Sequence, residues 1–142
     1  MTTTIGNIVD LLDSELKAPL VIQEGESLNI TGQLVDFAEV NVPKAGLLTF
    51  RVSHYDEAGE NIINGVQYED RLSEVAAGGD FTVKLDASDT VVQDTTNVLA
   101  GQTEAQIVAL VWTWNDGVQV RTGVQLIRIQ VQRVTAPIFT AP

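Results

Sequence analysis

The chain has 142 residues, no cysteine and a formal net charge of −11, from 19 acidic and 8 basic side chains. Its hydrophobic content of 44% excludes an intrinsically disordered protein, and its length predicts one domain that buries a core without disulfides. Nucleic-acid binders need a basic surface, so this balance, with no run of Lys or Arg, excludes nucleic acid and anionic membranes as expected partners.

The first predicted element is a helix over residues 4–16, in an N-terminal helical arm of residues 1–18. Apolar side chains recur there at spacings of three and four, which is typical of one helix face. A helix of three turns is marginal in water by itself, so either its own domain or another chain must cover that face. The apolar positions are Ile5, Ile8, Val9, Leu12 and Leu16.

Residues 19–134 alternate with a period of two, which predicts β-strands. Val, Ile and Thr make up 43 of the 142 residues, and β-branched side chains favour strands. Seven or eight short strands with turn signals about ten residues apart predict an all-β, immunoglobulin-like β-sandwich, with a jelly roll as the competing architecture. The predicted core contains Phe50, Val52, Phe81, Val83, Ile107, Val111, Val120 and the Trp112/Trp114 strand.

The last two predicted strands are the most apolar. Residues 105–114 are apolar on both faces, which is typical of a strand at the centre of a sheet or half covered by a neighbour. Asn115-Asp116-Gly117 predicts a hairpin, and residues 118–134 form the returning strand. Its apolar side chains change face midway, so we expect either a bulge near Gly123 or contact with a second surface.

The C-terminal segment, residues 135–142, repeats the triplet Thr-Ala-Pro. Two prolines in eight residues predict an extended tail. Its two large apolar side chains, Ile138 and Phe139, are either exposed on a frayed tail or docked on a neighbouring molecule. We therefore include both in a predicted interface with the apolar residues of the N-terminal helix.

Catalysis has no support in the sequence. The single histidine, His54, falls on the inner face of a strand, whereas a catalytic base must be accessible and oriented by a third group. Cysteine nucleophiles and phosphate-binding glycine loops are absent from the sequence. We predict no catalytic residue, no cofactor and no enzymatic activity.

Metal ligands are equally sparse. One histidine and no cysteine exclude the usual zinc and iron–sulfur ligand sets. Two acidic loops, at residues 56–60 and 86–94, lack the order of a calcium-binding EF-hand, so we interpret them as solvated and predict no metal site.

Trp112 and Trp114 lie two residues apart and point to the same side of one strand. Such a pair belongs to a core, to a subunit interface or, beside Tyr55 or Tyr68, to a platform that stacks on sugar rings. Exposure of the two indole rings separates these alternatives, because a sugar platform needs open rings.

The segment His54-Tyr55-Asp56-Glu57-Ala58-Gly59-Glu60-Asn61-Ile62 resembles the acidic, glycine-containing hairpins of immunoglobulin-like domains in tailed-phage particle proteins. These include capsid decoration, head-fibre and baseplate accessory proteins. The resemblance implies a structural subunit that acts through protein–protein contacts, and it transfers no catalytic or binding residue.

Two functions are therefore expected from the sequence. The first is a non-enzymatic virion protein, most simply a phage capsid decoration or accessory subunit, which forms homo-oligomers and binds capsid or tail proteins. It would be made in the host cytoplasm without a signal peptide, since the start of the chain lacks a basic region followed by an apolar run. The alternative is a carbohydrate-binding or adhesion module of a bacterial or phage surface protein.

Overall fold

The computed structural model describes residues 2–9, 14–35, 42–63 and 65–134, with side chains from Val21 onward. Within these ranges the chain forms eight strands and two short 3₁₀ helices, so the all-β prediction is confirmed. The strands are β1 (Thr2–Val9), β2 (Ser14–Gln23), β3 (Leu28–Val35), β4 (Leu47–Tyr55), β5 (Glu69–Asp70), β6 (Asp80–Leu85), β7 (Thr103–Asn115) and β8 (Val120–Gln132). The 3₁₀ helices are Lys44–Gly46 and Leu72–Glu74.

The strands form two sheets. One has three strands in the order β1-β3-β6, and the other has five in the order β2-β8-β7-β4-β5. β1 runs parallel to β3 and β2 runs parallel to β8, while the remaining neighbours are antiparallel. The two N-terminal strands therefore lie in different sheets.

The predicted N-terminal helix is wrong. Residues 2–9 form β1 beside β3, and residues 14–23 form β2 beside β8, across the predicted boundary at residue 18. The apolar spacing fits a helix, but Thr2–Ile5 is an unbroken β-branched run that favours extended backbone. A marginal three-turn helix is less favourable than two ladders of hydrogen bonds to existing sheets.

The core lies between the two sheets. Phe50 of the five-stranded sheet and Phe81 of the three-stranded sheet place their ring centroids 5.4 Å apart. Most of the predicted core is confirmed, whereas Val111 is only half-buried and Val120 is 57% exposed. Val120 was misplaced because it opens β8 on the outward-facing side, next to the hairpin.

Strand β8 pairs with β7 in unbroken register from Val120 to Gln132, so the bulge expected near Gly123 is absent. Gly123 instead lies opposite Trp112, and a Cβ atom there would come within 2.3 Å of the indole ring. Glycine is therefore required to make room for the largest buried side chain. Since the alternation is unbroken, the apolar residues of β8 face outward in its first half and inward in its second.

Candidate functional site

The outward face of the five-stranded sheet carries a groove of about 560 Å³ across β4, β7 and β8. Register aligns Arg51 of β4, Val111 of β7 and Val124 of β8, and it places Ala109 beside Leu126. We call this surface the outer groove. It is lined by Thr49, Arg51, Tyr55, Tyr68, Ala109, Val111, Thr113, Val124 and Leu126.

The groove exists because β7 is apolar on both faces and the first half of β8 carries its apolar side chains on the outer face. Inward-facing Val108 and Trp112 of β7 are buried in the core, while Val111 on the opposite face is only partly covered. On β8, Val124 and Leu126 project outward in the same way and are half-buried. An apolar strip on a sheet face that no described element covers is typical of an interaction surface.

Two tyrosines form one rim of the outer groove. Within the described ranges, Tyr68 is the single non-glycine residue with a positive φ, which is 54°. Its backbone N–H donates a hydrogen bond to Ser53 Oγ at 2.8 Å. A non-glycine residue in the left-handed region costs on the order of 1–3 kcal/mol, so the surrounding structure must hold it there. The Tyr55 hydroxyl accepts a hydrogen bond from Gln67 Nε2 at 3.2 Å. The strained backbone thus positions an aromatic ring that is 48% exposed.

The polar groups of the groove are few and partly paired with each other. The hydroxyls of Thr49 and Thr113 lie 2.6 Å apart in a mutual hydrogen bond. Arg51 is exposed and forms no ion pair among the described residues, and no carboxylate lines the groove. In a chain of net charge −11, the described lining of the groove is mostly apolar, with Arg51 as its one cation.

The two tryptophans are core residues. Trp112 is fully buried and Trp114 is 7% exposed, and the Arg121 guanidinium lies 5.9 Å from the Trp114 ring centroid. Because neither ring is open to solvent, the sugar platform considered for this pair is wrong.

His54 is fully buried, so its predicted position on the inner face of a strand is confirmed. Its Nε2–H donates to Gln106 Oε1 at 2.8 Å, and Gln106 Nε2 donates to Glu104 Oε2 and to the Val91 carbonyl. The Glu104 carboxylate in turn accepts the backbone N–H groups of residues 93 and 94. Burial lowers the pKa of His54 below its ordinary value. This network fastens the 91–94 loop to the sheet and presents no nucleophile.

The acidic loops use their carboxylates within turns. Asp56 accepts hydrogen bonds from the side chain and N–H of Asn61 and from the N–H of Glu60, and the bond from the Asn61 side chain contributes most to lowering its pKa. Asp94 is held similarly by Asn97, which lowers the pKa of that carboxyl. Within the described part of the chain, no three acidic or histidine side chains are grouped to hold a metal ion.

The structure divides the described residues of the predicted interface between the two sheets. Ile5, Ile8 and Val9 lie in β1 of the three-stranded sheet, whereas Leu16 lies in β2 of the five-stranded sheet, opposite Ile127. They therefore do not form the single helical face on which the prediction rested. Leu12, Ile138 and Phe139 lie outside the described residues.

Sequence reasoning missed the outer groove, although two signals for it were present. One was the doubly apolar run in β7, and the other was the change of apolar face in β8. Together these signals indicate a second covered surface on the sheet, and neither one requires a bulge.

No known protein-family model matches the chain, and no curated protein matches it. A solved structure, the N-terminal domain of phage TP901-1 ORF48, is similar over 95% of this chain and 100% of its own, with 8% sequence identity and a TM-score of 0.44. A likeness this distant assigns neither a family nor a function. Among the described residues, no helix has the length and apolar character needed to cross a membrane.

Proposed function

We propose that this chain is a non-enzymatic structural subunit of a bacteriophage particle, a capsid decoration or another virion accessory protein. It would act through protein–protein contacts, with copies of itself and with capsid or tail proteins. The observation that carries the proposal is the outer groove, an apolar surface whose described lining residues include no carboxylate, on a strongly acidic chain. Such a face lets acidic subunits associate where their mutual repulsion is smallest.

The segment that resembles phage particle domains supports this proposal by its local geometry. Asp56 N–H donates to the Asn61 carbonyl, and Tyr55 bridges to Ile62, so the segment closes as a hairpin. Gly59 has a φ of 72° at its tip, a conformation that favours glycine. The burial of both tryptophans also agrees with a structural subunit.

The strand order supports an immunoglobulin-like assignment as the finer form of the fold. β8-β7-β4 corresponds to the G-F-C order of that sandwich, and the adjacent pair β3-β6 corresponds to B-E. The parallel pairing of β1 with β3 departs from the antiparallel sheets of that fold. The proposed assignment therefore covers β3 to β8.

The test is co-purification with particles of the phage that encodes the chain. We expect the protein to remain with particles through a density gradient and to be detected there by mass spectrometry at a stoichiometric level. Its absence from intact particles, with the protein present in the cleared lysate, would overturn the proposal.

A second candidate function, carbohydrate binding or adhesion, gains one observation from the tyrosine rim. Tyr68 is half-exposed beside Tyr55, and an exposed ring can stack on a sugar. The groove is poor in free hydrogen-bonding groups, however, since Thr49 and Thr113 pair with each other. A glycan array on the wild type and on Tyr68→Ala decides the matter: glycan binding that is lost in Tyr68→Ala would replace the structural proposal.

A further inference from the structure

The outer groove is open and mostly apolar, and its size can accommodate an extended apolar segment. We infer that it binds the C-terminal segment, residues 135–142, of a second copy of this chain. This inference rests on the proposed function, because it supplies the contact through which copies of the subunit associate.

The chemistry of the segment matches the groove. Residues 135–142 contain no charged side chain and carry Ile138 and Phe139, while the described residues that line the groove are mostly apolar and include no carboxylate. Proline lacks a backbone N–H, so the two prolines reduce the number of donors that such a lining would leave unsatisfied. Contact through this segment also avoids bringing acidic surfaces of two −11 chains together.

Chain length keeps Phe139 from the centre of the groove on its own copy. The backbone is fixed up to Val134, whose N–H donates to Glu24 Oε1 at 3.1 Å. Five residues from there to Phe139 span at most about 18 Å. Val124, at the centre of the groove, lies ten residues back along β8, or about 30 Å away at the rise of a strand. Phe139 therefore reaches the centre of a groove only on another molecule.

Each copy then offers one groove and one segment, which is a heterologous contact. Such contacts close into rings or continue as open arrays, and two copies can also exchange segments reciprocally. All of these assemblies need both elements, so removing either one abolishes the contact.

The absence of native cysteine allows a direct cross-linking test. One full-length chain carries Phe139→Cys, and a second, with a tag of different mass, carries Val124→Cys. The control replaces Val124→Cys with Val118→Cys, at the fully open tip of the β7–β8 hairpin, where Val118 is 93% exposed. A disulfide needs Cα atoms within about 7 Å, so only a docked segment cross-links selectively.

We expect the 139–124 mixed dimer to form at least about tenfold faster than the 139–118 dimer, because docking raises the local thiol concentration. Equal rates for the two pairs would overturn the inference. A parallel measurement compares the oligomer mass of Val124→Glu with that of Val120→Glu by light scattering. Both variants add one negative charge on the same strand, but only Val124 lines the groove.

Loss of self-association in Val124→Glu alone supports the inference, while identical masses for the wild type and both variants contradict the inference. The cross-linking and co-purification results together separate the inference from the proposed function. If the wild type co-purifies with particles but its segment does not cross-link to the groove, the virion proposal stands and the inference fails. If cross-linking succeeds and particles lack the protein, the reverse holds.

Discussion

The two faces of strand β7 have similar apolar content but different surroundings. On the inner face, Val108, Leu110 and Trp112 are fully buried beneath the three-stranded sheet. On the outer face, Val111 is half-buried and opens onto a groove. The apolar residues of one strand can therefore have two roles. Those on the inner face stabilise the fold, and those on the outer face are available for contact with another molecule.

The polar groups follow the same division. Inner-face His54 and Gln106 have hydrogen-bond partners fixed by the fold, whereas outer-face Arg51 has no ion pair among the described residues. Changes on the inner face should therefore alter stability, and changes at the open outer-face positions Arg51 and Val111 should alter association.

The largest expected effect is truncation of an inner-face aromatic ring. Phe50→Ala and Phe81→Ala should each lower the free energy of unfolding by about 3–5 kcal/mol, because the two rings pack across the sheets and leave a cavity. Urea denaturation measures the change, with exposed Val118→Ala as a control expected within about 0.5 kcal/mol. A loss below about 1 kcal/mol at both phenylalanines would show that the core is not assembled around them.

The next effect tests the close fit of Gly123 against Trp112. Gly123→Ala should destabilise the protein by about 1–3 kcal/mol, since the added Cβ overlaps the indole ring and forces it to move. Gly78→Ala is the matched control, because a Cβ there meets nothing within 4 Å. Thermal unfolding of both variants decides the comparison, and equal melting temperatures would contradict the packing.

Much of the fold could be predicted from the sequence. Two-residue alternation located Phe50, Phe81 and Val83 on the buried side of their strands, because burial of one sheet face imposes that period. The N-terminal strands could not be predicted this way. Ile5, Ile8 and Val9 fit a helical spacing, and only pairing with a strand distant in sequence decided in favour of extended backbone.

The candidate site was less predictable. The apolar run of β7 indicated a covered second face, but which residues of β4 and β8 lie beside Val111 depends on register across three strands. Tyr68 reaches the rim through a strained backbone conformation that no local pattern indicates. Sites built from several strands are in general visible only once the sheet is assembled.

One substitution made on both faces of β7 sharpens the comparison directly. Val108→Thr places a hydroxyl in the core and should cost about 1–3 kcal/mol if that group finds no partner. Val111→Thr makes the same chemical change on the half-open outer face and should stay within about 0.5 kcal/mol. Chemical denaturation of the two variants under identical conditions provides the measurement. Equal losses would mean that the outer face is as fully buried as the inner one.

The smallest effect concerns protonation of the inner-face histidine. Burial lowers the pKa of His54 in the folded state below the value of about 6.5 that the unfolded chain has, and Nδ1 has no hydrogen-bond partner among the described residues. As the pH falls, His54 is therefore protonated in the unfolded chain before it is protonated in the folded protein. The contribution of neutral His54 to the free energy of unfolding has its full value above about pH 6.5. Below that pH the contribution falls by at most about 1.4 kcal/mol per pH unit, until the pKa of His54 in the folded state is reached.

His54 is the single histidine of the chain, so a His54→Gln variant isolates its contribution. Urea denaturation between pH 7.5 and the onset of carboxylate titration should show a falling free energy of unfolding for the wild type and a flatter profile for the variant. The carboxyls of Asp56 and Asp94, whose pKa values are lowered, titrate at more acid pH and affect both proteins alike. Parallel profiles for the two proteins would show that His54 titrates in the folded state as it does in the unfolded chain, which is incompatible with a buried, neutral imidazole.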